Sequence, residues 1–563
     1  MSTAMIHAGS EAVERLPSIR DDSTGKTTSG QSSGTQDTVP KLTISHDEAT
    51  LLQQIGLRTV QRKILTESDC PNALAFAWPT WKKWMILVII FFVQISMNLN
   101  ASLYANGQKG IARDFDVSMN ASISGTAVFL VTYAFGCELW APWSEEFGRK
   151  LVLQISLLLV NLCCLPVALA KYHRCFPVII LGRALGGLFS AGGSVTLGVV
   201  ADMFNSDQQQ HPLAFIVLSS VGGSIVGPIV GGFIEEHLDW TWTVWIQLIV
   251  GGFVQVLHFF IVPETRSTVL VDQHARKVRE ARFAETGEKI QVFGPNENKT
   301  WKEYLVPDDL FSVWTRPFQM FFRESIVLVL SLLSGFSDAL IFMQIQSFGR
   351  VFRIWGFSDV QTGLAFISIG LSYFLAYLAF IPVIHRNRKL RQWFPHSEHA
   401  QYESRLWWLL YTAPCLPIGL IIFAWTSTPE VHWVAPMFGA VLIGLANYTI
   451  YMTTIDYMVA AYGPYSASAT GGNGFARDFL AGVLTWAAAP YYDAFDGYSL
   501  GLQKANTVLA IVSFFLVVAT FIIYKKGPTM RKRSPFAQSL NQTSVIDIVD
   551  DPPSISVQQR DVG

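Results

Sequence analysis

The sequence predicts an all-α membrane protein whose twelve transmembrane helices form two pseudo-symmetric six-helix halves, and three observations carry that expectation. Apolar residues fall in blocks of about twenty, long enough to cross a hydrocarbon core of roughly 30 Å. Six blocks precede a polar stretch of about sixty residues and six follow it, the hydropathy pattern of two structural repeats. Hydrophobic residues make up 50% of the chain and charged residues 15%; because a soluble protein could have both values, the distribution decides.

Residues 1–81 are rich in Ser, Thr, Gln and Gly, most densely over 22–38, and read as a disordered cytosolic tail. No apolar core follows the start as a signal peptide requires, so the first span would serve as the targeting signal. The amino-terminal bundle occupies 82–262, with blocks at 84–104, 122–141, 151–170, 177–200, 212–234 and 242–262. A polar cytosolic loop, 263–323, includes the charged helical run His274–Glu285. The carboxy-terminal bundle, 324–524, has blocks at 324–345, 361–384, 406–426, 432–455, 468–490 and 503–524, and a cytosolic tail, 525–563, closes the chain.

Basic residues orient the spans. Lys82 and Lys83, Arg149 and Lys150, Arg386 to Arg391, and Lys525 to Arg533 flank alternate blocks and share one side with the central loop. Fewer lie opposite, so both termini face the cytosol. Asn120-Ala-Ser122 is a sequon on the outer side, abutting span 2. A net charge of -1 excludes a strongly basic nucleic-acid binder. Six scattered Cys without a CxxC argue against a disulfide framework or zinc site. The absence of a GxxxxGK[ST] loop, a His/Cys cluster or a nucleophile–base motif argues against an ATPase or other enzyme and for no cofactor.

Three strings stand out. Ala141-Pro-Trp-Ser-Glu-Glu-Phe-Gly-Arg-Lys150 follows span 2; a tight turn there needs Gly148. Glu145 can pair with Arg149 or cap a neighbouring helix, although the string also suits an ordinary charged loop. Leu181-Gly-Arg-Ala-Leu-Gly-Gly187 puts Arg183 inside an apolar block, at a cost of roughly 3 kcal/mol unless it is paired or snorkels. Gly182 and Gly186 permit close helix approach. In span 5, Gly223, Gly227 and Gly231 line one face beside the helix-bending Pro228, with Gly232 adjacent. A generic small-residue packing face is the alternative.

These strings resemble the loop, span-4 and span-5 signatures of the major facilitator superfamily, the last its antiporter motif. Pro263-Glu-Thr265, Arg316-Pro-Phe318, Gly363-Leu-Ala-Phe366, Leu416-Pro-Ile-Gly419 and the run from Tyr462 through Asn473 to Arg477 are similar to the fungal drug:proton antiporter family with twelve spans, over about residues 80–527. Residues 134–145 resemble a multidrug or polyamine transporter branch. The loop string departs from the family pattern at Ala141, Glu145 and Glu146, and the loop after span 8, His385–Arg391, lacks its glycines.

The resemblance implies a central cavity lined by spans 1, 4, 7 and 10. Polar residues at helical spacing support it: Gln94 and Asn98 in span 1, Ser334 in span 7, and Asn447, Tyr451 and Thr454 in span 10. Each could instead join helices. Phe342, Tyr448 and Tyr451 suit amphipathic or cationic compounds through cation–π contact. Glu138 and Asp338 lie within apolar blocks, where desolvation penalises the charged form of a carboxyl, so they are the proton-carrying candidates. Arg183 is grouped with them because it could hold Glu138 ionised. Arg477 and Asp478 read as a structural pair. The function expected is proton-coupled efflux by alternating access, with the glycine face of span 5 sliding against the other half. Proton symport or facilitated import of a nutrient, or a non-transporting sensor, is the alternative. The expected partners are a small-molecule substrate, protons and the lipid bilayer around a monomer, without nucleic acid. The expected location is the plasma membrane, with the vacuolar membrane as the alternative.

Overall fold

A computed structural model describes residues 63–190, 192–205, 208–287, 290–297, 310–496 and 501–537. All twelve apolar blocks fall on helices. Nine spans are continuous: span 1 Thr80–Phe115, span 2 Met119–Glu146, span 3 Arg149–His173, span 5 Gln210–His237, span 6 Thr241–Ile261, span 7 Ser325–Phe352, span 10 Val434–Tyr462, span 11 Ser466–Asp496 and span 12 Gly501–Arg531. Three are broken: span 4 into Phe176–Phe189 and Gly192–Met203, span 8 into Asp359–Ala365 and Ile367–Trp393, span 9 into Trp407–Thr412 and Cys415–Thr426. Ten helices among the described residues are both long and apolar enough to cross a membrane. Span 4 is divided, and span 11 carries Asn473, Arg477 and Asp478.

Helices outrun their apolar blocks because hydropathy ends where partners begin. Span 1 continues past residue 104 to Phe115; there Gln108 donates to Thr126 Oγ1 (3.0 Å) and Asn106 to Glu235 (3.2 Å). The halves meet along two seams. Span 2 packs on span 11, where a Cβ on Gly482 would stand 2.9 Å from the Ala127 carbonyl oxygen. Span 5 packs on span 8, with Gly232 tight against the Asp359 carbonyl and Gly363.

Both tails begin farther out than composition suggests. The expected tail 1–81 is folded from Lys63: β1, Lys63–Ile64, pairs in parallel with β2, Val292–Phe293. Cys70 and Leu74 then pack on Val271 of the helix Ser267–Thr286, which contains the expected run His274–Glu285. Burying those apolar side chains ties the segment down although its neighbours are polar. Arg279 of the same helix bonds Glu297 (2.6 Å) and holds that carboxyl below the ordinary carboxylate range. Residues 1–62 lie outside the described residues. At the other end, span 12 passes the expected boundary at residue 525 and runs to Arg531, whose buried guanidinium pairs with Glu403 and with Glu398 (3.5 Å).

Candidate functional site

At the end carrying the basic loops, Gly148 adopts φ +98°, a conformation that L side chains rarely reach. The turn hands Arg149 to the amino terminus of span 3. Its Nε donates to Asp202 (3.0 Å), its Nη1 to Ser144 Oγ (2.5 Å), and Glu145 stands 3.7 Å away. The capping role expected of Glu145 belongs to Glu264, which accepts from the amides of Arg149 (2.9 Å) and Lys150 (3.1 Å). A carboxylate there satisfies amides that have no helical partner and meets the positive helix end. Asp202 also receives Arg266 at 3.6 Å.

The glycine face of span 5 corrects a second expectation. A Cβ on Gly223 would lie 2.6 Å from Asn98 Cβ, one on Gly227 2.7 Å from the Leu103 amide nitrogen, and one on Gly231 2.8 Å from Asn106 Cβ. All three neighbours belong to span 1, so the face is packed inside its own half and does not slide against the other. Ser102 Oγ donates to the Gly223 carbonyl across this crossing (3.2 Å). Pro228 is buried in the same helix, and its carbonyl oxygen would stand 2.7 Å from a Cβ on Gly363. Within the glycine motif, Gly232 and the Pro228 carbonyl touch the second half.

Between the halves lies a cavity of about 420 Å³, within the range of small-molecule sites. It runs from Glu138, Tyr451, Arg477 and Asp478 in its interior to Glu145 and Arg266 at the basic-loop end. Glu138 is buried, and among the described residues its carboxylate makes no hydrogen bond or ion pair. Span 11 reaches it only because residue 471 is glycine: a Cβ there would lie 2.8 Å from both carboxylate oxygens. Arg477 is the hub. Its guanidinium bonds Asp478 (3.2 Å), lies 3.9 Å from Asp338, stacks over Tyr451 (4.2 Å) and donates to Ser220 of span 5 (3.2 Å). Ser220 in turn accepts from Gln94 (3.3 Å), which accepts from Thr196 (3.2 Å), so a polar chain joins the halves. Asp338 and Asp478 face the Arg477 guanidinium, and Glu138 lines the same cavity.

The other expected residues divide clearly. Tyr451 lines the cavity with Glu138. Gln94 joins through Ser220, while Asn98 turns back to the Gln94 carbonyl (3.0 Å). Asn447 bonds Ser337 (3.1 Å) and Tyr373 (3.1 Å). Tyr448 donates across the seam to the Ala214 carbonyl (3.0 Å), and Thr454 bonds its own helix. Ser334 is buried, and Phe342 packs with Phe129 and Tyr133 of the other half. Arg183 does not hold Glu138: it bonds Asn100 and the Gly125 carbonyl and stacks on Tyr104 and Phe129. Sequence reasoning does not single out Asp202 or Ser220 as site residues; Glu264 enters only through the Pro263-Glu-Thr265 match, and Arg477 and Asp478, charges inside an apolar block, read there as a structural pair.

Two helical halves around a buried, partly charged cavity are the architecture of a membrane transporter. The chain belongs to the Major Facilitator Superfamily, whose family profile matches residues 86–486. It is 29% identical over 485 residues to the transporter paaT of Penicillium rubens, covering 83% of each chain. It is 30% identical over 460 residues to the MFS transporter fsa7 of a Fusarium species, covering 81% of this chain and 86% of that one. Among solved structures, the proton:xylose symporter XylE bound to 6-bromo-6-deoxy-D-glucose shares the fold: TM-score 0.54 at 13% identity, covering 79% of this chain and 97% of that one.

Proposed function

We propose that the chain is a proton-coupled antiporter of the fungal twelve-span drug:proton branch, exporting small amphipathic or cationic molecules such as drugs, polyamines or a secondary metabolite. The observation that carries this reading is Glu138, a buried carboxylate on the cavity wall without a hydrogen bond or ion pair among the described residues. It exchanges a proton for a cationic or polar group of the substrate, while Arg477 keeps Asp478 and Asp338 compensated. In this reading the basic loops are cytosolic. Substrate enters past Arg266 and Glu145, and the far-end contacts separate for release: Lys109 with Glu235 and Asp359, and Glu236 with the Val360 amide. Gln210, bonded to Asp456 (2.7 Å) and Arg391 (3.3 Å), draws the cytosolic ends together.

One proton returning through 100 mV releases roughly 2.3 kcal/mol, and one pH unit adds about 1.4. The total of near 4 kcal/mol sustains about a thousandfold gradient of a neutral substrate exchanged one for one. Efflux from efflux-deficient cells, measured over a panel of drugs, polyamines and weak acids with and without an uncoupler, tests this. Uncoupler-sensitive efflux is expected; uptake driven by the same gradient would refute export.

A further inference from the structure

We propose that the basic-loop end of the carboxy-terminal half holds a binding site for an anionic phospholipid. A polar cup between spans 8, 9 and 12 takes the headgroup phosphate, and an apolar groove continuing along span 12 takes an acyl chain. The cup, about 280 Å³, is lined by Arg386 of span 8, Ser397, His399 and Ser404 of the connection to span 9, and Tyr524 of span 12. Arg386 also borders a hollow of about 640 Å³ with His385, Lys389 and Trp393. No carboxylate among the described residues lines either space. Among the described residues neither Arg386 nor Lys389 forms an ion pair. Arg386 bonds, among the described residues, only its neighbour Asn387 (3.2 Å) and lies flat on the Trp407 ring (3.9 Å), leaving its remaining donors for a ligand. The nearest acid in sequence, Glu398, is taken by Arg531.

The cup sits where a lipid headgroup would be. Exposed apolar side chains on span 12 end at Ile522, and exposed Lys525 and Lys526 follow. On span 8, exposed Leu375 and Leu378 give way to Arg386 and Lys389. Exposed Trp393, Phe394 and Tyr411 ring this level, as aromatic residues do at a membrane interface. The apolar half of the site adjoins it. Phe521, one helical turn before Tyr524, borders a groove of about 620 Å³ between spans 9 and 12, walled by Ile418, Ile421, Phe514 and Phe515. Every residue lining that groove is apolar, and Pro414 and Pro417, at the break in span 9, help to form it. A soluble anion needs no such groove, and a net-neutral lipid gains less than an anionic one from two cations that no described carboxylate compensates. The pairing of both features fits an anionic phospholipid.

The full chain, purified in detergent, is titrated with dioleoyl phosphatidylserine, dioleoyl phosphatidylcholine and glycerophosphoserine, with bound lipid counted by native mass spectrometry. The expected result is phosphatidylserine bound about tenfold more tightly than phosphatidylcholine, with no competition from the soluble headgroup. The double variant Arg386→Ala/Lys389→Ala reduces that preference to about twofold or less, whereas Arg353→Ala at the far end leaves it intact. Ile418→Trp, which fills the groove and spares the cations, weakens binding of both lipids. Equal binding of the two lipids by the unmodified chain would overturn the proposal. So would an undiminished preference in the double variant, unchanged binding in Ile418→Trp, or competition by the headgroup alone.

Discussion

Replacing Gly227 with alanine puts a methyl group where two helices already touch. The new carbon would stand 2.7 Å from both the Leu103 amide nitrogen and Ser102 Cβ, against about 3.5 Å for an unstrained contact. Backbone cannot rotate away, so spans 1 and 5 must part by close to an ångström. Overpacking of this kind costs about 1–3 kcal/mol. Stretching the Ser102–Gly223 hydrogen bond adds about 0.5–1.5 kcal/mol. The sum, roughly 2–4 kcal/mol, should lower the melting temperature of the purified chain by on the order of 5 °C. Gly222→Ala is the matched control: nothing lies within 4 Å of a Cβ there, and alanine favours helix by up to about 1 kcal/mol. Intrinsic fluorescence against temperature separates the two. Equal melting of both variants would refute the claim that the glycine face is a close helix crossing within one half.

Four further outcomes are expected. Gly471→Ala should displace the Glu138 carboxylate and weaken proton-driven transport at least about tenfold while leaving the helix content by circular dichroism unchanged, since alanine suits a helix. Arg477→Gln leaves Asp338 and Asp478 buried without their cation; losing one partner of such a group costs about 3–5 kcal/mol, which should appear as reduced folded yield in size-exclusion chromatography. Gln210→Ala removes the bonds to Asp456 and Arg391, so a cysteine placed at Ala467 on the cavity wall should react faster with an impermeant maleimide. The Arg279–Glu297 bond depresses the Glu297 pKa; its contribution is present above the unfolded value of about 4.3 and is lost as pH falls through the lower folded value. Amide exchange over residues 290–297 should therefore show less protection, relative to free peptide at the same pH, at pH 3 than at pH 6.

The twelve-span plan is legible in the sequence because each apolar block must be at least as long as a bilayer is thick. Helix ends are less legible: once Gln108 or Asn106 has a partner in another helix, a polar residue no longer stops the helix. Glu138 stands out because a charge inside an apolar block is costly and needs a reason. Asp202 and Gln210 do not, since polar residues at the ends of such blocks are common. Arg477 and Asp478 are visible as a neighbouring pair, yet sequence spacing cannot tell which other spans they meet. Ser220, one hydroxyl among many, gains its position only from packing. The same limit explains the span-5 glycines: periodicity reveals a smooth face but not the helix that fills it, here span 1.

The role of Glu138 is tested most directly in proteoliposomes with Glu138→Gln, once the efflux panel has supplied a substrate. Accumulation driven by an imposed pH gradient is compared with substrate-for-substrate exchange at equal pH, both relative to the unmodified protein. The expected result is a loss of gradient-driven accumulation at least about tenfold larger than any loss of exchange. Gradient-driven accumulation at the unmodified rate would contradict a proton-carrying Glu138.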